Sequence, residues 1–333
     1  MKIDVFPHIF PTKYLEALRK KVPSNVYEIY EQVERTPGLV DIERRLRILD
    51  KYDDVVQILN IASPPIETMV EPKDAVELCR LANDELAELL IKYPDRFVGA
   101  IASIPMNDVE AAVIEADRAI RELGFRGVQI YTDVAGKPLD SPEFKPLFEK
   151  MVSFNLPILM HPWRKSSQPD YPGEKRSKYA AYLVFGWPYE TTLAMSRLVY
   201  GGVMDDLPDL KIVTHHCGGM VPFFEQRIKG NFDYNEVSLR NRYRRVFRKE
   251  PIEYFRSFYN DTAVYGSTPA LMCGYAFFGA DHILFGTDMP YESQFGERFT
   301  RDTIRSIENM DISKEDKIKI FEGNAKKLFR LPV

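Results

Sequence analysis

Short apolar runs alternate with amphipathic stretches along the whole chain. Runs rich in β-branched and aromatic residues at 2–6 (KIDVF), 54–61 (DVVQILNI), 97–103 (FVGAIAS), 126–131 (RGVQIY), 156–160 (LPILM), 211–216 (KIVTHH), 257–262 (SFYNDT) and 283–287 (ILFGT) predict strands. Between them, apolar residues spaced by three and four predict helices over 74–93, 108–123, 143–154, 189–200, 221–230 and 268–278, with 297–309 and 314–329 at the end. Ser313, three residues before Asp316, is the candidate cap of the last helix. Strands that alternate with helices form βαβ units and a parallel sheet, and eight of them fit a closed (β/α)8 TIM barrel better than an open sheet. The absence of a GxGxxG or P-loop pattern further disfavours an open nucleotide-binding sheet. The 333 residues therefore read as one barrel domain over 1–333. Two connections exceed what a barrel needs, 9–45 after the first strand and 162–188 after the fifth. Loops that follow strands lie on the catalytic face, so both are candidate lids or specificity walls.

A net charge of −4 gives no reason to expect a nucleic-acid partner, and no apolar run approaches the ~18 residues of a membrane span. The chain opens with MKIDVF, which enters a strand without the apolar core of a signal peptide. Three cysteines, Cys79, Cys217 and Cys273, form no CxxC pair, which points to free thiols in a reducing, cytoplasmic setting. The basic stretch 240–249 (RNRYRRVFRK) reads as a solvated helix face or a subunit contact.

Chemistry enters through position. Of five histidines, His8, His161 and His216 end or follow strands, and Asp288 closes the eighth in FGTDMPY. In a barrel those ends converge above the core, and imidazoles with a carboxylate are the donors that zinc, manganese or iron prefer. Asp288 can bind a metal or move a proton, or else cap the turn that begins near Pro290. Each histidine taken singly also has a bland reading, as a satisfied core or loop residue. His215 and His216 face opposite ways if the strand runs through them. On that basis His216 points into the site, while His215 packs structurally against the helix layer. The glycines after Cys217 allow a tight turn and a close approach to a ligand. His282, before the eighth strand, reads as structural.

The motifs IDxxxHxxP at 3–11, PILMHPW at 157–163, WPYETTLAMSRLVYGGVMDDLPDLKI at 187–212, HCGG at 216–219, FGTDMPY at 285–291 and GNAKKLF at 323–329 give the chain its resemblance. In this order it resembles the amidohydrolase-related decarboxylases of the amidohydrolase superfamily, the aminocarboxymuconate semialdehyde and hydroxybenzoate decarboxylases among them. The resemblance implies a metal-dependent, non-oxidative C–C lyase acting on a small aromatic or unsaturated carboxylic acid. It implies His8, His161 and Asp288 as metal ligands, zinc being the first expectation and manganese the alternative. His216 would be the general acid/base, with Asp288 sharing proton transfer. Arg227 would bind a substrate carboxylate from a neighbouring subunit, making the protein a homodimer or larger. Arg164, and Arg47 as a further candidate, could hold the carboxylate by bidentate bonds, while Trp163 and Tyr291 could stack on a ring.

One departure stands out. The family carries His-x-His or Glu-x-His on its first strand, where this chain has Phe6-Pro7-His8. Asp4, Phe6 and His8 share one parity and should all face the barrel interior. Phe6 cannot coordinate, so the ion would have three protein ligands plus water, which suffices for catalysis but at weaker affinity. That leaves two alternatives open: a hydrolase or hydratase on the same barrel, such as a lactone hydrolase, and a metal-free, catalytically silent ligand-binding protein.

Overall fold

The computed structural model describes residues 1–22, 33–238 and 245–332. Eight parallel strands run in chain order: β1 Lys2–Asp4, β2 Val55–Ile61, β3 Phe97–Ala100, β4 Val128–Tyr131, β5 Ile158–His161, β6 Ile212–Thr214, β7 Tyr259–Asp261 and β8 Ile283–Leu284. Each pairs with the next, from Ile3 opposite Val56 to Asp261 opposite Leu284. After one intervening residue, β3 resumes at Ala102–Ser103, and this second piece carries the pairing to β4. The seam between β8 and β1 is closed by Val5 N–H donating to the Phe285 carbonyl at 3.0 Å. The sheet is thereby a barrel.

Burial on both faces explains why the strands are continuous apolar runs, since one face fills the barrel and the other meets helices. Ile3, Val5, Phe6, Ile58, Leu159, Val213 and Leu284 form the inner core, with Ala325, Leu328 and Phe329 of the C-terminal segment packed against them. A larger apolar cluster lies between strands and helices.

Short polar side chains set the helix starts. Asp108 accepts from Ala111 N–H before Val109–Arg121, Ser267 from Ala270 N–H before Thr268–Phe278, and Ser313 from Asp316 N–H before Lys314–Ile318. Each such cap is worth about 1 kcal/mol. Helix Thr12–Lys21 follows Pro11 and has no cap of its own, so Glu85 of helix Pro72–Lys92 supplies one through Lys13 and Tyr14 N–H. The last helix departs from the expected continuous 314–329. It is broken by a π-turn over Lys319–Gly323, because Phe285 N–H takes the Ile320 carbonyl out of the helical ladder.

Of the two long connections, residues 23–32 lie outside the described residues, as do 240–244 of the basic stretch. Arg245 is described and pairs with Asp205 and Asp206, each at 2.6 Å, which anchors the returning chain. No helix among the described residues is long and apolar enough to cross a membrane. Cys79, Cys217 and Cys273 are free thiols.

Candidate active site

The strand ends deliver their polar residues to one volume. Beyond Asp4 the first strand breaks and resumes at His8–Ile9 against Asn60–Ile61 of β2, which places the His8 ring at the mouth of the barrel. His161 ends β5, His215 and His216 follow β6, and Asp288 follows β8. His8 Nε2 and His215 Nε2 lie 3.2 and 3.3 Å from the same oxygen of Asp288, and His216 Nε2 lies 3.7 Å from the other. Donor atoms of His8, His161 and His215 fall within 4.8 Å of one another, as do those of His215, His216 and Asp288. Asp288, at φ +60°, and His216, at φ +55°, are held in the left-handed region that non-glycine residues avoid.

This arrangement corrects the expectation for His215. The strand ends at Thr214, His215 is the last extended residue, and the chain then turns left-handed through His216 and Cys217. Alternation therefore stops between the two histidines, and both rings reach Asp288. The following glycines approach protein rather than ligand: a Cβ on Gly219 would sit 2.5 Å from the Pro188 carbonyl. His282 lies apart, its ring against Tyr259.

Second partners fix the ring tautomers. His161 Nδ1 is 2.7 Å from the Pro162 carbonyl, an acceptor only, so Nδ1 carries the proton and Nε2 keeps its lone pair. His215 Nδ1 likewise faces a carboxylate oxygen of Asp261. The other oxygen of Asp261 accepts from Cys217 and Ala263 N–H at 3.3 and 3.0 Å. Asp261 escaped the sequence reading, although a carboxylate closing β7 is the same signal that marked Asp288.

Burial alone would raise the Asp288 carboxyl, but His215 and hydrogen bonds from the surrounding imidazoles hold it well below the usual carboxylate range. Burial depresses His161, aided by the charges of its neighbour imidazoles, and also depresses His8 and His216. His215 runs against its burial and rises to about 10, because Asp261 and Asp288 flank it. The site thus holds one proton between two carboxylates, and a divalent cation would take that proton's place. His8 Nε2 and His215 Nε2 are buried and face no partner but Asp288, so with a cation in that proton's place their lone pairs and Asp288 fit the donor set of a metal ion.

Phe6 is fully buried and stacks on the His215 ring with centroids 4.2 Å apart. It shares the inner core with Ile3 and Val5, because the strand breaks after Asp4 and the alternation expected to group Asp4 with Phe6 and His8 does not hold. Behind the cluster, Asp4 accepts from Thr287 N–H and Oγ1 at 3.0 and 2.6 Å and from Phe6 N–H at 3.2 Å. Arg45 is fully buried, donating to Gln57 Oε1 at 3.0 Å and to the His8 carbonyl. The sequence reading had named Arg47, which the helix Ile42–Leu49 instead turns to solvent.

A cavity of about 760 Å³ opens on Asp288 and is walled by Thr36, Trp163, Arg164, Trp187, Tyr265 and Tyr291 among others. Arg164 Nη1 pairs with Glu190 Oε1 at 3.0 Å, Tyr265 OH donates to Asp288 Oδ2 at 3.3 Å, and the Tyr291 ring lies 5.4 Å from His8. Trp187, edge-on to His161, and Tyr265 were not foreseen. Arg227 is exposed on the helix Glu225–Ser238 and does not line this cavity.

The Amidohydrolase family model matches residues 44–331. A 2-amino-3-carboxymuconate-6-semialdehyde decarboxylase of Dictyostelium discoideum is 32% identical over 288 residues, covering 86% of this chain and 75% of the relative. A gamma-resorcylate decarboxylase of Polaromonas sp. is 32% identical over 305 residues, covering 88% of this chain and 89% of its own. Among solved structures, a dihydroxybenzoic acid decarboxylase from Polaromonas sp., with bound manganese and the inhibitor 2-nitroresorcinol, superposes with a TM-score of 0.80 at 29% identity. The match covers 99% of this chain and 96% of that one. A barrel whose strand ends gather histidines and an aspartate, matched over most of its length, makes this chain a member of the amidohydrolase family.

Proposed function

We propose that the protein is a divalent-metal-dependent, non-oxidative decarboxylase of a small aromatic carboxylic acid. The observation that carries this reading is the convergence of His8, His161, His215 and Asp288 beside a cavity with aromatic and cationic walls. His8, His161 and Asp288 would hold the cation, and His215 Nε2 supplies a further donor that offsets the apolar Phe6. Manganese is named ahead of zinc because the solved Polaromonas relative holds manganese. Bound there, the cation would polarise substrate oxygens and stabilise charge that develops as the C–C bond breaks.

The chain's own groups do the rest. Arg164, held by Glu190, is placed to anchor the leaving carboxylate, and Trp163 and Trp187 wall the cavity with apolar rings that exclude water. His216 delivers a proton to the ring carbon that loses the carboxylate, with Asp288 as counter-charge at 3.7 Å. Free thiols suit a cytoplasmic setting.

A second copy of the chain completes this reading. Phe185, Tyr189 and Leu193 recur at a spacing of four and are exposed, as is Phe223 four residues before Arg227. Met220 N–H donates to Thr192 Oγ1 at 2.9 Å, joining the two segments into one surface. A dimer across it would bury that apolar stripe and carry Arg227 toward the partner's cavity.

The experiment is product analysis by mass after incubating manganese-loaded protein with a panel of hydroxybenzoic and muconic acids. Loss of CO₂ from a panel member supports the proposal. A gain of water, or ring opening of a lactone panel without CO₂, would assign the barrel to hydration or hydrolysis instead.

A further inference from the structure

The two carboxylate oxygens of Asp288 have different neighbours. Oδ1 is faced by His8 Nε2 at 3.2 Å and by His215 Nε2 at 3.3 Å, the side on which those lone pairs would hold a cation. Oδ2 is faced by His216 Nε2 at 3.7 Å and by the Tyr265 hydroxyl at 3.3 Å. The hydroxyl is the nearer of the two, and the imidazole stands beyond hydrogen-bond length. A phenol therefore holds the second oxygen.

The backbone is shaped to put it there. After β7 the chain turns left-handed at Tyr265, φ +54°, and again at Gly266, φ +81°. Position 266 has to be glycine, because a Cβ there would come within 2.9 Å of Asp302 Cβ. Tyr265 carries a bulky ring into a region that such residues avoid. That ring rests on Phe299, with centroids 4.8 Å apart, and lies 6.2 Å from the His216 ring. Burial does not account for the conformation, since Tyr265 is 55% exposed in the wall of the catalytic cavity. What the conformation does achieve is the contact with Asp288.

We propose that Tyr265 is a positioning residue. Its hydroxyl fixes the rotation of the Asp288 carboxylate, turning Oδ1 to the cation and leaving His216 Nε2 uncommitted and available to substrate. Without the hydroxyl, Oδ2 is open to His216, and the carboxylate and the imidazole close on each other. The inference rests on the metal-dependent reading above, and concerns how Asp288 is presented to the ion.

Tyr265→Phe tests it, because the change removes one oxygen and keeps the ring on Phe299; a melting curve checks the fold. Metal-stripped wild type and variant are titrated with Mn²⁺ by calorimetry, then loaded with Co²⁺, whose visible absorption reports the ligands around the ion. The variant should bind Mn²⁺ about tenfold more weakly and show a shifted Co²⁺ band. With the best acid of the panel, kcat should fall by more than KM changes. If wild type binds both ions and Tyr265→Phe matches it in affinity and in the Co²⁺ band, this inference falls and the metal reading stands. If wild type binds neither ion, the metal reading falls and takes this inference with it.

Discussion

Phe6 sits where a ligand is expected, yet the structure shows what its ring does: it packs on His215 and keeps one side of the cluster dry. A Phe6→His variant would place an imidazole beside His215, with the His8 and His161 rings close by. It should tighten manganese binding while costing ~1–3 kcal/mol of stability from lost apolar contacts. Titration of both proteins with Mn²⁺, alongside melting curves in chelator, checks the two effects separately. Asp261 touches no substrate and acts by holding His215. Removing its charge with Asp261→Asn should lower metal affinity or turnover about 10- to 100-fold, with the fold unchanged by circular dichroism. Unaltered affinity and rate would remove Asp261 from the positioning shell. At this scale the strand ends that carry His8, His161, His216 and Asp288 were legible from periodicity, and the structure gathers these residues in one cluster. His215 was misplaced for a definite reason. Alternation holds only while the strand continues, and the left-handed turn at His216 and Cys217 is not announced by residue type.

Strands supply the geometry on which those residues depend, and the seam between β1 and β8 is where the barrel closes. Asp4 bridges that seam through Thr287, one residue before Asp288. Burial lifts the Asp4 carboxyl to about 6, against the pull of its Thr287 hydrogen bonds and of Arg45. Asp4→Ala would leave the Thr287 and Phe6 N–H groups unpaired and should cost about 2–4 kcal/mol, read as a shifted urea midpoint. Metal affinity should fall with it, because Thr287 holds the backbone that presents Asp288. The eight strands and most helices were legible as runs and periods, since burial on both faces imposes apolar continuity. The break in the last helix was not. It arises from a hydrogen bond between Phe285 and Ile320, a contact that local sequence does not encode. Arg45 and Arg47 show the same limit on a helix, where one turn of phase decides which guanidinium enters the core.

The whole molecule combines a catalytic end with an exposed apolar stripe. Stability should carry the signature of Glu67, whose folded-state acidity is shifted from 4.5 to about 8. The native state keeps a proton that the unfolded chain releases, so its contribution is full below about pH 4.5 and falls as pH rises toward 8. Denaturant titrations at pH 5 and pH 8 should show a slope for wild type that Glu67→Gln flattens. If Arg227 serves the partner's cavity, mixing inactive Arg227→Ala with inactive His216→Ala should restore some activity through hybrid dimers. No recovery after demonstrated subunit exchange would place Arg227 on an idle surface. Decarboxylation is proposed to depend on a cation held by the histidines and Asp288. CO₂ release from 2,6-dihydroxybenzoate, or from the best acid of the panel, tests it in chelator-treated, manganese-restored and Asp288→Asn protein. Stripping the metal should abolish CO₂ release, manganese should restore it in wild type, and Asp288→Asn should stay inactive with or without the ion. Full activity in metal-free protein, or in Asp288→Asn, would contradict it.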